Sequence, residues 1–191
     1  MNATHWSATL VMPVLPDRDH VRGPASAPAT LLEYGDYECP YCRAAHPIVN
    51  AIQTQLQDQL CFVYRHFPIT TVHPHAQPAA EAAEAAGSQR RFWQMHNTLF
   101  ATESPLTNTL LTAAAAAIGL NMPPFQDELR RHVHVPHIRE DFITGVRSGV
   151  NGTPAFYINS VRYDGPWDLP SLSRAVTLAI ASPAGVGGER S

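Results

Sequence analysis

The sequence predicts an α/β fold: a central mixed sheet flanked by helices, with a helical insert between a β-α-β half and a β-β-α half. Three observations carry this expectation. The pair Cys39-Pro40-Tyr41-Cys42 sits between an apolar run at residues 29–37 and a helix-periodic segment. Residues 73–149 show no strand-like alternation, and two short β-rich runs around Asn159-Ser160 precede a closing helical pattern.

Taken in order, residues 1–28 are punctuated by Pro13, Pro16, Pro24 and Pro28 and read as an N-terminal arm, with an edge strand expected over residues 9–15. Residues 30–34 form the first central strand. Pro40 suits the first turn of the next helix, where its missing N–H is not needed. Ala45, Ile48, Val49, Ile52 and Leu56 then recur at helical spacing, and Pro47 inside that helix predicts a kink near Arg43. The second strand covers residues 60–67, so residues 29–72 make the first half of the fold.

The insert spans residues 73–149. An alanine-rich helix ends at Gly87, Phe92, Met95 and Leu99 share one helical face, a third helix ends at Gly119, and Pro123-Pro124 and Pro136 mark two further short helices. Residues 150–182 form the second half. Ala155–Ile158 and Val161–Tyr163 pair across a two-residue turn, and the last helix runs from Leu169 to Ala181 with Asp168 as its cap and Pro170 in its first turn. Residues 183–191 read as a disordered tail.

At 191 residues, 45% hydrophobic and 15% charged, the chain can bury one full core. A net charge of −3 without a Lys/Arg run argues against a nucleic-acid partner. No stretch approaches the roughly 20 apolar residues of a membrane span, which argues against a membrane partner. Residues 1–6 lack the basic region of a secretory signal, so the chain reads as cytoplasmic, or as periplasmic with a leader removed.

Chemistry concentrates at the cysteine pair. A helix N-terminus offers unpaired N–H groups and partial positive charge, which can lower a thiol pKa from about 8.5 to between about 3.5 and 7.5. Cys61, in a strand-like run, reads as a small core residue with no chemistry. The ten histidines, including His73, His75, His132, His134 and His137, match no standard zinc spacing and read as solvated side chains, so no metal is expected. His46 lies one turn beyond Cys42 and could add positive charge there. A metal or shared iron–sulfur cluster on Cys39 and Cys42 would need ligands from a second chain.

With this element order, the chain resembles the thioredoxin superfamily, and within it the DsbA-like thiol-disulfide oxidoreductases. The likeness is carried by residues 32–42 with the C-x-x-C, by Pro47 five residues after Cys42, by residues 82–100 with Phe92-Trp93-Gln94-Met95-His96, and by residues 152–159 with Gly152-Thr153-Pro154. It implies the thioredoxin fold and a catalytic pair in which Cys39 is the exposed attacking thiol and Cys42 the buried resolving one. On the residues alone, Gly152-Thr153-Pro154 is an ordinary turn; the resemblance implies a cis Pro154, with Thr153, Pro154, Pro40 and Tyr41 contacting substrate. Glu33, six residues before Cys39, has a strand position that leaves its face open; the resemblance implies a buried carboxylate beneath the dithiol that accepts a proton from Cys42.

The resemblance further implies protein or small-thiol disulfide substrates, no cofactor, and glutathione or a thioredoxin-type protein as electron donor. Pro-Tyr between the cysteines departs from the Pro-His of the strongest oxidant in the family. Tyrosine supplies no positive charge beside the thiolate, so a milder potential is expected. A glutathione-linked reductase or transferase and a non-catalytic redox-sensing module are the alternatives.

Overall fold

The computed structural model describes residues 9–181. Its strands are β1 (His20–Arg22), β2 (Ala29–Gly35), β3 (Leu60–His66), β4 (Ala155–Ile158) and β5 (Val161–Tyr163), joined in one sheet in the order β1-β3-β2-β4-β5. The helices are α1 (Pro40–Leu56), α2 (Ala76–Ser88), α3 (Phe92–Ala101), α4 (Asn108–Ala117), α5 (Met122–Arg130), α6 (Val135–Arg147) and α7 (Leu169–Ala181). β2 and β3 are parallel, as their connection through α1 requires, and the β1–β3, β2–β4 and β4–β5 pairs are antiparallel. The mixed sheet and the insert of α2 to α6 follow the expected plan.

All seven residues of β3 and six of the seven in β2 are buried, because both faces of the sheet are covered. On one face Leu31, Phe62, Tyr64 and Phe156 pack with Cys39, Cys42, Val49 and Ile52 and continue into the insert. On the other, Leu32, Tyr34, Cys61, Val63 and Tyr157 form a smaller core under Val150 and Phe67. Cys61 is buried there, as expected of a small core residue. Strand alternation therefore puts Leu31, Glu33 and Gly35 on the α1 side of the sheet.

The expected edge strand at residues 9–15 does not form; the sheet's edges are β1 and β5. Thr9 makes a single bridge to Val161, and the carbonyls of Met12 and Pro13 turn instead to the guanidinium of Arg65. Pro13 and Pro16 have no N–H to give a ladder. Just after β1, Gly23 has φ +91°, and a Cβ there would lie 2.3 Å from the carbonyl oxygen of Leu60, so both conformation and close approach require glycine.

The hairpin between β4 and β5 turns as its sequence predicts. Asn159 and Ser160 have φ of 46° and 69°, the two positive values of a tight primed turn. The Asn159 side chain also accepts from the Thr30 N–H at 2.8 Å, fixing the hairpin to β2. Asp168 caps α7 through the Ser171 N–H at 3.0 Å. Pro123-Pro124 and Pro136 lie in the first turns of α5 and α6 rather than between helices, where a missing N–H costs nothing. Within the insert, α2 is the central element, and its buried alanines let α3, α4, α5 and α6 approach it closely. Among the described residues no helix is long and apolar enough to cross a membrane. The tail at 183–191 lies outside the described residues.

Candidate active site

The cysteine pair sits where β2 hands over to α1. Cys39 is the N-cap of α1 in extended conformation (φ −69°, ψ 121°), Pro40 opens the first turn, and Cys42 lies within it. Both thiols are free. Cys39 is less open than the sequence suggested, at 4% exposure, and Cys42 is fully buried. Tyr41 projects outward at 64% exposure, the apolar flag at the mouth of the site.

The turn before β4 brings a distant segment onto this pair. The Thr153-Pro154 peptide bond is cis, and the Cys39 thiol lies 3.3 Å from the carbonyl oxygen of Thr153, to which it donates. The Thr153 hydroxyl is buried without a partner. A neutral Cys39 makes no side-chain cap bond to α1. Its ionised form is favoured by a hydrogen bond from Cys42, against the opposing effect of burial, with further help from Thr153 and from the backbone N–H groups of Cys42 and Tyr41; together these lower its pKa to about 5. Burial pushes Cys42 well above the ordinary thiol value, reinforced by its bond to Cys39 and by the charges of Glu33 and Cys39. The two thiols are thus split, one an anion near neutral pH and the other a proton holder.

Glu33 completes the buried side. It faces the α1 side of the sheet, is 2% exposed, and its Oε1 has no hydrogen-bond partner. Burial, then the negative charge of Cys39, raises its pKa to about 8. A carboxyl with that value can hold or release a proton near neutral pH. Beside Glu33 in register stands Tyr64, whose buried hydroxyl is also unpartnered. A Cβ on Gly35 would fall 2.5 Å from the Tyr64 ring, so glycine at the end of β2 makes room for that aromatic floor. Tyr37 packs at a tilt against Tyr64 and Phe100 and meets His96 Nδ1 at 3.1 Å through its hydroxyl.

Two carboxylates that the sequence did not single out hold the loop carrying the dithiol. Asp36 accepts from the N–H groups of Glu38 and Ile69 and from His73 Nδ1, each at 2.8 Å. Glu38 accepts from the His75 N–H at 2.6 Å and from its Nδ1 at 2.8 Å. The loop ahead of Cys39 is therefore tied to residues 69–75, which would otherwise float free. The only sequence signal was two acids beside the cysteines and two histidines in a Pro-rich loop; their meeting is a tertiary fact.

Several histidines pair with carboxylates, while His132 stays largely solvated as expected. His73 and His75 are engaged as above, His132 reaches Glu81 at 2.9 Å, and His134 reaches Glu128 at 2.7 Å. His46 packs on Phe100 and His96, and burial with the nearby Arg22 charge lowers its pKa to about 4. It is neutral at pH 7 and brings no positive charge to the dithiol.

Residues 16–177 match the family model described as thioredoxin. Among solved structures, a thioredoxin-like oxidoreductase from Silicibacter pomeroyi DSS-3 superposes with a TM-score of 0.77 at 27% identity, over 86% of this chain and 94% of that one. The thiol-disulfide exchange protein alpha-DsbA2 from Wolbachia pipientis superposes with a TM-score of 0.74 at 18% identity, over 83% of this chain and 85% of that one. A curated relative from Salinispora arenicola, named Na(+)/H(+) antiporter NhaA 1, is 46% identical over 90% of this chain, which spans only 26% of that protein's length. With its family model covering most of its length, the chain belongs to the thioredoxin family and has the fold of the DsbA-like thiol-disulfide oxidoreductases.

Proposed function

We propose that the protein is a thiol-disulfide oxidoreductase whose Cys39-Cys42 dithiol exchanges disulfides with protein or small-thiol substrates. The observation that carries the reading is the geometry of the pair: Cys39 caps the tip of α1 with its thiol 3.3 Å from the Thr153 carbonyl, and Cys42 lies fully buried in the first turn behind it. In the reducing direction the Cys39 thiolate attacks a substrate disulfide, forming a mixed disulfide and expelling one substrate thiolate. Cys42 then loses its proton to Glu33 and attacks Cys39 Sγ, releasing the second substrate thiol. The substrate gains two electrons and the protein is left with a Cys39–Cys42 disulfide. Glutathione or a thioredoxin-type dithiol would return those electrons. The oxidising direction is the same sequence reversed.

Thr153, Pro154, Pro40 and Tyr41 would receive the substrate. The carbonyl of Thr153 faces Cys39, so an extended substrate segment pairing along that backbone would bring its sulfur to the thiolate. The uncharged Tyr41 beside Cys39, which adds no stabilisation to the thiolate, supports an intermediate potential. A reducing compartment would then run the pair as a reductase, and an oxidising one as an oxidant.

Insulin reduction with dithiothreitol or glutathione tests the reading. Turnover that disappears in Cys39→Ser supports it; no turnover from an intact, titratable dithiol would sink it. A second reading is a redox-sensing module acting on a membrane transporter, favoured by the relative whose 46% identity covers about a quarter of a protein named as an antiporter. In that case the dithiol would titrate against glutathione without turning over insulin.

A further inference from the structure

Away from the dithiol, three elements aim ligand atoms at one point. His20 of β1, Glu84 of α2 and His137 of α6 each place one donor atom within 4.8 Å of the other two. His20 Nε2 lies 2.8 Å from Glu84 Oε1, and His137 Nε2 lies 3.8 Å from the same oxygen. His66, at the end of β3, donates to that oxygen from 2.7 Å. His137 Nε2 is also 3.8 Å from Asp141 Oδ2, so it points between two carboxylates while hydrogen-bonding neither.

We propose that His20, Glu84 and His137 form a mononuclear zinc site that clasps the edge strand to the helical insert. Two imidazoles and a carboxylate are a donor set that zinc accepts, with a fourth position left to water. Tetrahedral zinc with bonds of about 2.05 Å needs neighbouring donors about 3.3 Å apart. The observed 2.8 and 3.8 Å lie either side of that value and the two imidazoles offer donors within 4.8 Å of each other, so closing the site requires Glu84 to move by about half an ångström and the two imidazoles to draw together.

The surroundings fit a resident ion. The His66 N–H on Glu84 Oε1 fixes the position of the oxygen that would face the ion, as outer partners of metal ligands do. Asp141 is itself fixed by Arg18 at 2.6 Å and by the His66 backbone N–H at 3.0 Å, so it stands as an oriented neighbour of His137. The His20 ring is held flat on Phe92, with centroids 3.4 Å apart. Entry is open, since the His20 and His137 side chains are 21% and 25% exposed. A cavity of about 280 Å³ also borders His20 between Asp19 and Trp93. Each imidazole presents an Nε2 lone pair when its proton sits on Nδ1.

The test uses the full chain carrying Cys39→Ser and Cys42→Ser, so that the dithiol cannot hold metal. Zinc titrated by calorimetry should bind at one equivalent and raise the thermal midpoint. Cobalt should give the visible bands of a tetrahedral ion without a thiolate charge-transfer band. His137→Asn and His20→Asn, both at partly exposed positions, should each weaken zinc binding by about 100-fold or more while the circular dichroism spectrum is unchanged. No saturable binding, a cobalt thiolate band, or binding that survives the His20→Asn/His137→Asn double variant would overturn the proposal.

Discussion

Cys39 Sγ lies 3.3 Å from the carbonyl oxygen of Thr153, a residue 114 positions further along the chain. The contact joins the tip of α1 to the turn before β4, and only the β2–β4 pairing brings those two segments together. It also changes sense on ionisation. The thiol donates to the carbonyl, whereas the thiolate must accept, and the donors positioned for it are Cys42, the Thr153 hydroxyl and the first N–H groups of α1.

That arrangement makes the reactivity of Cys39 depend on Cys42. Alkylation of Cys39 by iodoacetamide should rise through pH 5 and level off above it, following the thiolate fraction. Cys42→Ala removes the leading stabiliser of the anion, and the midpoint should climb by roughly one pH unit or more. Cys42→Ser should accumulate mixed disulfides through Cys39, identified by peptide mapping; adducts on Cys61 would contradict the assignment.

Glu33 predicts a pH-dependent stability with a definite sign. Its folded value of about 8 lies above its ordinary value of 4.5, so the folded protein keeps a proton that the unfolded chain loses first. Its contribution is full below about pH 4.5 and is lost as pH rises through about 8, on the order of 5 kcal/mol in all. Urea unfolding of reduced Glu33→Gln should show a flatter dependence across this window and higher stability than the parent at pH 8. The same variant should slow decay of the mixed disulfide about 100-fold, since the proton from Cys42 loses its acceptor.

Tyr41 bears on the potential. It is exposed at the mouth of the site and carries no charge toward Cys39. Tyr41→His would add a partial positive charge beside the thiolate below neutral pH, worth about 0.5–1 kcal/mol for an exposed pair, or roughly 10–20 mV toward a more oxidising couple. Equilibration against glutathione at pH 6 and pH 8 should show the shift at the lower pH and its loss at the higher.

The parts of this site legible in the sequence were those set by local rules. The C-x-x-C with Pro40, the Asn159-Ser160 turn and the Asp168 cap each act within a few residues, and each appears where it was read. The face of Glu33 was not legible, because nearly all of β2 is buried and the strand shows no alternation to read. Nor were Asp36 and Glu38, whose partners lie in a loop beyond β3, or the meeting of His20 with Glu84, which needs an edge strand that three residues with a terminal arginine barely announce.

The same limit hid Arg65, which is fully buried on the sheet face opposite the dithiol. Its five donors are met by both oxygens of Asp19, the carbonyls of Met12 and Pro13 and the Tyr34 hydroxyl. Asp19 also pairs with Arg18, so the N-terminal arm is held by charge where it has no ladder. Arg65→Ala removes one of the two cations on buried Asp19 and leaves it only Arg18 and the Leu15 N–H, and should cost about 3 kcal/mol in urea unfolding. Replacing both ends, as Arg65→Met with Asp19→Leu, removes the uncompensated charge and should cost less than the two single changes summed. Because the network lies across the sheet from Cys39, insulin reduction by the folded fraction should be unchanged at low temperature. A loss of turnover without a loss of stability would mean that the arm reaches the dithiol by a route the sheet does not reveal.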